Sequence, residues 1–368
     1  MRSAAPSAPA ALALALLAAC SSKPRDKAAG AGARATADGG AIDAAATRRP
    51  DGTVALPPAP PVPATPPGLP PLPGDVAPTP AEVALGELLF HEPKLGADGT
   101  TACASCHDPA RGLSGTEPHP ATAAGRPSLR RAPALVNLAW AKEFGWDGRG
   151  AGLAGWLPNH ARGQLDRTVD DIALTLGASP TYRAHLARTS AGRSDSDTVA
   201  AALAGYVVTR FAGGSPWDAH EAGTAGAVGD DVIAGYQVFT GKALCGSCHP
   251  PPLYTDHDFH RLGLIASPDD GRGRVDPAQA GAFKTPGLRG AASRARFFHD
   301  GSATSLDAAI DWHLAGGRGQ GADPSVIDPG LPPVTLTPTE RAQLGAFVAA
   351  LTAAGAAPAR PTLPSDLP

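Results

Sequence analysis

Cys103-Ala104-Ser105-Cys106-His107 recurs as Cys245-Gly246-Ser247-Cys248-His249. Two thiols at this spacing reach both vinyl groups of one haem, and the adjacent histidine is then delivered to the iron. One copy alone reads equally well as a redox dithiol or half of a zinc site. A zinc centre gathers four ligands in one place, yet each pair here has its own histidine and its own flanking segment. The doubled motif therefore indicates a protein with two c-type haems.

Working outward, Thr79-Pro80-Ala81-Glu82 is a capping box with proline in the first turn. It predicts a helix that carries Val83, Leu85, Leu88, Leu89 and Phe90 into the first motif. Asp230-Asp231, followed by Val232, Tyr236, Val238 and Phe239, opens a matching helix before the second. Thr198 to Phe211 reads as the closing helix of the first unit. Thr337-Pro338-Thr339-Glu340 starts that of the second, through about Ala353. Alternating Val/Ile/Thr runs are nearly absent, so little sheet is expected. The expected fold is all-α, with two tandem cytochrome c-like domains at 79–225 and 226–355, each with one covalently bound haem.

The rest of the chain bounds this reading. A net charge of −3 with 18% charged residues gives no case for nucleic-acid binding. The 44 glycines and 40 prolines predict unstructured portions: a Pro/Ala-rich tether over 20–78 and a tail over 356–368. Residues 1–19 read as a signal peptide, because the Ala/Leu run after Arg2 is too short to span a bilayer. Leu17-Ala18-Ala19-Cys20 resembles a bacterial lipobox, and Ser21 suits outer-membrane delivery. A periplasmic protein, touching a membrane only through lipid on Cys20, is expected. Met1 is the only methionine, so a sixth iron ligand would be His, Tyr, Lys or water, or the position would be open.

Several further stretches match a known pattern: Leu89-Phe90-His91-Glu92-Pro93-Lys94-Leu95, Arg131-Ala132-Pro133 with Asn137, and Trp146-Asp147-Gly148-Arg149. Phe259-His260, Phe283-Lys284-Thr285-Pro286 with Leu288-Arg289, and Phe298-His299-Asp300-Gly301 continue it. From Leu88 to about Leu351 the chain resembles the di-haem cytochrome c peroxidase and MauG family. The resemblance implies a two-domain helical fold in which the N-terminal haem meets hydrogen peroxide and the C-terminal haem stores electrons. It places Trp146 between the haems. His313 shares an apolar helical face with Leu306, Ala309 and Ile310. It lies where MauG-type members carry a tyrosine ligand, and is expected as distal ligand of the second iron.

At the first haem the family uses a glutamate as proton shuttle with a glutamine nearby. Counted from Trp146, those positions become Asp166 and Trp156, with Gln164 a neighbour if the register slips. His119, in the loop after the motif, and His160, at the position of a distal-pocket proline, are the two candidates to close this iron. The family's calcium positions fall on Arg131, Arg294 and Arg296. Guanidinium groups repel Ca²⁺, so no calcium is expected. His260 and His299 are expected as partners of the iron's ligands or of haem propionates rather than as ligands, and His91, His185, His220 and His257 at the surface.

Three functions follow. The first is reduction of hydrogen peroxide with electrons from a small cytochrome c or copper protein. The second is MauG-like, peroxide-dependent oxidation of a protein or organic substrate, and the third is a bis-histidine electron carrier without catalysis.

Overall fold

The computed structural model describes residues 46–265, 269–355 and 357–368. The expected signal peptide, Cys20 and the start of the tether lie outside the described residues. Ten helices occur among them: α1 (Pro80–His91), α2 (Cys103–Cys106), α3 (Leu153–Gln164), α4 (Val169–Gly177), α5 (Pro180–Thr189), α6 (Asp195–Val208), α7 (Pro216–Glu221), α8 (Asp230–Thr240), α9 (Leu306–Leu314) and α10 (Pro338–Ala350). Strand is confined to three antiparallel pairs of two residues each: Thr47–Arg48 with Val54–Ala55, Glu143–Phe144 with Gly150–Ala151, and Phe259–His260 with Phe283–Lys284. The described chain is helix-rich, as the sequence predicts.

Local chemistry sets the helix ends. Thr79 Oγ1 accepts from Glu82 N at 3.2 Å while the Glu82 carboxylate accepts from Thr79 N at 2.7 Å, and Thr337 with Glu340 does the same for α10. The closing helix of the first half starts before the expected Thr198, because Ser194 accepts from Asp197 N and caps it there. It stops at Val208, where Thr209 Oγ1 turns back to donate to Tyr206 O at 2.8 Å.

Two hydrophobic cores form. α1 and α6 bring Leu85, Leu89, Phe90, Leu203 and Tyr206 into the first. α8 and α10 bring Val238, Phe239, Leu344 and Phe347 into the second. The repeat is deeper than the motifs alone reveal. Gly86 in α1 lies so close to α6 that a Cβ there would sit 2.0 Å from Ala202 O and 2.7 Å from Tyr206 Cβ. Gly235 in α8 repeats the contact, at 2.0 Å from Gln343 O and 2.9 Å from Phe347 Cβ. Each half thus crosses its first and last helices at a glycine, a residue the hydrophobic pattern did not single out. Gly86→Ala should force α1 off α6 and cost about 3 kcal/mol, seen as a fall in thermal midpoint of the haem-loaded protein.

Both ends depart from the expected looseness. Residues 46–78 are not a free tether, since remote side chains bind their carbonyls. Arg188 donates to Pro57 O at 2.6 Å, Arg289 to Gly68 O at 2.7 Å and Trp140 Nε1 to Pro71 O at 3.3 Å. The 357–368 stretch is anchored as well. The Asp366 carboxylate accepts from Ser179 Oγ (2.5 Å), Thr181 N (3.0 Å) and Thr181 Oγ1 (2.9 Å) at the start of α5. Leu367 is buried in the first core, and Lys94 Nζ donates to its carbonyl. Composition predicts how these stretches behave alone, and the structure supplies partners from elsewhere in the chain.

Candidate functional site

Each Cys-x-x-Cys-His opens one cavity. The first is about 380 Å³ and is lined by Cys103, Cys106 and His107 with α3 residues Trp156, His160 and Gln164. The second is about 160 Å³ and is lined by Cys245, Cys248 and His249 with His260, His299 and His313. α2 is a single turn, which puts both thiols and the following histidine on one wall. The second motif makes the same turn as a tighter 3₁₀ segment, Cys245–Ser247.

Three cavity histidines share one hydrogen-bonding pattern. His107 Nδ1 lies 3.0 Å from Pro133 O and 3.3 Å from Leu113 O. His249 Nδ1 lies 3.0 Å from Tyr254 O, and His313 Nδ1 lies 2.7 Å from Ala309 O. Carbonyls only accept, so in all three rings Nδ1 carries the proton and Nε2 keeps its lone pair. Burial pulls His107 down to about 4, helped by His160 and opposed by its two carbonyl partners. It likewise pulls His249 to about 4 and lowers His313. All three are neutral at neutral pH, the form that binds a metal.

The cysteines do not fit a redox dithiol. Burial pushes Cys103 and Cys245 up to about 12 and raises Cys106, whereas reactive dithiols have lowered values. All four are free. Nor is a zinc centre formed, because the motifs belong to different cavities. Cys248, Asp256 and His260 do cluster within 4.8 Å, but neither Cys245 nor His249 joins them. Two walls also hold buried polar atoms without a protein partner, His257 Nε2 in the first cavity and His299 Nε2 in the second. In the tautomer with the proton on Nε2, a group bearing carboxylates would satisfy them. His299 stacks on Phe283 at 3.5 Å between centroids, which fixes its ring. Thiols, neutral imidazoles and unpartnered ring nitrogens together suit haem.

Trp146 lines both cavities. It is 6% exposed, its Nε1 donates to Arg131 O at 2.7 Å, and its own carbonyl accepts from Lys284 N at 2.9 Å. Lys284, Thr285, Pro286 and Arg294 are also common to both linings. Beside this wall Arg130 bridges two fully buried carboxylates, Asp147 at 2.7 Å and Asp269 at 2.5 Å.

Two expected residues do not reach the first cavity. Asp166 lies beyond the end of α3 with φ 53°, is exposed, and pairs with Arg126 at 3.2 Å. Counting residues from Trp146 took no account of where that helix ends. His119 is exposed and its Nδ1 donates to Ser128 O at 3.1 Å. Trp156 does line the cavity, with Arg149 over its ring at 5.2 Å, and Gln164 is held by Ser128 Oγ at 3.0 Å. Among the described lining residues the one carboxylate is Glu143, paired with Arg272 at 2.7 Å. The sequence reading missed Glu143 and gave Lys284 no role beyond its motif, and His257, expected at the surface, lines the first cavity with Nε2 buried. His91 and His185, expected at the surface, are buried.

Residues 80–226 match the family model described as di-haem cytochrome c peroxidase. The chain is 37% identical over 295 residues to the methylamine utilization protein MauG of Methylorubrum extorquens, across 78% of this chain and 82% of that protein. It is 30% identical over 324 residues to the cytochrome-c peroxidase IdrP2 of Denitromonas iodatirespirans, across 78% and 85%. Among solved structures it resembles a MauG-like protein associated with microbial copper homeostasis, with TM-score 0.68, 25% identity, and 81% and 95% of the two chains covered. The diheme peroxidase BthA of Burkholderia thailandensis shares the fold, with TM-score 0.63, 20% identity, and 82% and 100% covered.

Proposed function

The chain belongs to the di-haem cytochrome c peroxidase and MauG family, and from that premise we propose that it reduces hydrogen peroxide with electrons from a small periplasmic redox protein. It is an oxidoreductase of the cytochrome c peroxidase type. The observation that carries the finer reading is Trp146, one buried indole on the wall of both cavities.

Two haem c groups would supply the redox-active irons and pass electrons to peroxide. Cys103 and Cys106 would hold the first by thioether links with His107 on the iron. Cys245 and Cys248 would hold the second between His249 and His313. Histidine at this position, in place of methionine, would give the second haem a lower potential. The carbonyls of Pro133, Tyr254 and Ala309 fix each ring by its Nδ1 proton and keep Nε2 basic. Reduction of one peroxide to two waters takes two electrons and two protons. Trp146 shortens the electron path between cavities, and its N–H bond to Arg131 O holds the indole plane in place.

The wall between the cavities carries its own cations. The Arg131 guanidinium donates to Phe298 O at 3.0 Å, Ser114 Oγ at 2.6 Å and Ala132 O at 3.1 Å. Arg296 donates to Thr116 O at 2.8 Å and Gly301 O at 3.1 Å. These guanidinium groups place positive charge at the expected calcium position, which disfavours Ca²⁺ there. Metal analysis of the purified protein should find no stoichiometric calcium, and a chelator should leave turnover unchanged. One retained Ca²⁺ per chain would overturn this.

A periplasm-facing protein with lipid on Cys20 is part of the same proposal. Among the described residues no helix is long and apolar enough to cross a membrane. MauG-like oxidation of a protein or organic substrate is the second reading, favoured by 37% identity to MauG and by the exposure of Asp166. Mass spectrometry should show the polypeptide heavier by two haems, and peroxide should oxidise an added reduced cytochrome catalytically. A two-haem protein that ignores the reduced cytochrome but oxidises an organic donor would select the second reading. A mass equal to the polypeptide would end both.

A further inference from the structure

We propose that His160 is the second axial ligand of the iron held by His107, so that the first haem is closed on both faces in the resting ferric protein. This rests on the two-haem reading above and fills the position that reading leaves open. The two imidazoles share one cavity with ring centroids 6.3 Å apart and planes at 51°. Two imidazoles bound on opposite sides of one metal, each by a bond of about 2 Å, have centroids roughly 6 Å apart. Directly stacked rings would come closer, as the 3.5 Å Phe283–His299 pair does. The separation fits one atom between two ring nitrogens.

The hydrogen bonding agrees. His107 spends Nδ1 on carbonyls and keeps Nε2. His160 is half-buried, yet among the described residues no protein group hydrogen-bonds either of its ring nitrogens. Its ring nitrogens are thus uncommitted to protein, which leaves a lone pair available to a metal. Its competitor is otherwise engaged, since His119 is exposed and bonded to Ser128 O.

α3 aims and adjusts this residue. Trp156, one turn before, packs against His160 at 5.9 Å between centroids, and Gln164, one turn after, is tied to Ser128. Between Trp156 and His160 stands Pro158, which removes one helix hydrogen bond and gives the helix local slack. The residue that closes the iron thus sits on a helix that can yield.

The test is electron paramagnetic resonance of the ferric protein, with haem counted as pyridine haemochrome. The parent should show two low-spin irons and bind cyanide slowly. His160→Ala should keep two haems, convert one of the two low-spin signals to high spin and bind cyanide promptly, and added imidazole should restore the low-spin signal. His119→Ala should leave the spectrum as it was. A high-spin iron already present in the parent and unmoved by His160→Ala would overturn the assignment, as would a conversion produced by His119→Ala instead. Should His160→Ala not fold, the spin state of the parent decides, because one high-spin iron there excludes a bound His160. A parent with fewer than two haems would fail the two-haem reading, which the haemochrome count reports separately.

Discussion

A Cys245→Ser, Cys248→Ser protein is expected to carry half the haem of its parent and to lose turnover with a protein electron donor. The second cavity is lined by apolar side chains, among them Phe239, Leu262, Leu288, Ile310 and Leu344. Left unfilled, about 160 Å³ at some 24 cal/mol per Å³ corresponds to roughly 4 kcal/mol of lost stability. That is a large share of the stability of a typical domain. The first core is built by α1, α3, α4, α5 and α6 and does not use these residues, so the first haem should remain. Haemochrome content should halve, the thermal midpoint should fall, and peroxide-driven oxidation of reduced cytochrome should drop to background. Full turnover from the single-haem protein would show that electrons enter at the first cavity and would remove the second haem from the pathway.

The other large effect is expected at Arg289, which is 1% exposed and makes two 2.8 Å bonds to the buried carboxylate of Asp218. It also donates to Pro252 O at 2.6 Å and Gly68 O at 2.7 Å. One guanidinium thus joins α7, the loop after the second motif and the N-terminal stretch. Arg289→Met leaves Asp218 buried without a cation, and such a break costs about 3–5 kcal/mol. Burial alone would raise the Asp218 carboxyl, but Arg289 and Ser215 hold it below the usual range. Because the folded value is depressed, the unfolded chain binds the proton more readily, and stability rises with pH through that window. The pair's contribution is complete above the unfolded value of about 4 and is lost as pH falls through the folded one. Urea midpoints measured from neutral pH down to acid should show this acid-side slope in the parent and a weaker one in Asp218→Asn. Equal slopes would assign acid lability to other carboxylates.

Much of this is legible in the sequence because it is local. The capping boxes at Thr79 and Thr337 act within four residues, and so do the two Cys-x-x-Cys-His turns. His313 lines the second cavity with Leu306, Ala309 and Ile310, because their shared helical face depends only on spacing along α9. Trp146 was found through its neighbours Asp147, Gly148 and Arg149. Asp147 is buried and ion-paired with Arg130, which explains why that motif stands together. What was not legible depends on distant partners. Nothing near Pro57 or Gly68 indicates that Arg188 and Arg289 bind their carbonyls. Nothing near Asp166 shows that α3 has ended before it, so a position counted by number fell outside the cavity. His91 looked like a surface residue until its Nδ1 met Glu87 O in the same helix, at 2.9 Å, and α6 covered it.

The seating of Asp366 on α5 and of Leu367 in the first core bears on the order in which the protein matures. A chain delivered N-terminus first presents Cys103 and Cys106 early, but the cluster behind them lacks its last members until every residue of the second half has emerged. The first motif would therefore meet any haem while its surroundings are still incomplete and open. Residues 357–368 then arrive as a plug, with Leu367 completing the first core and Asp366 tying it to α5.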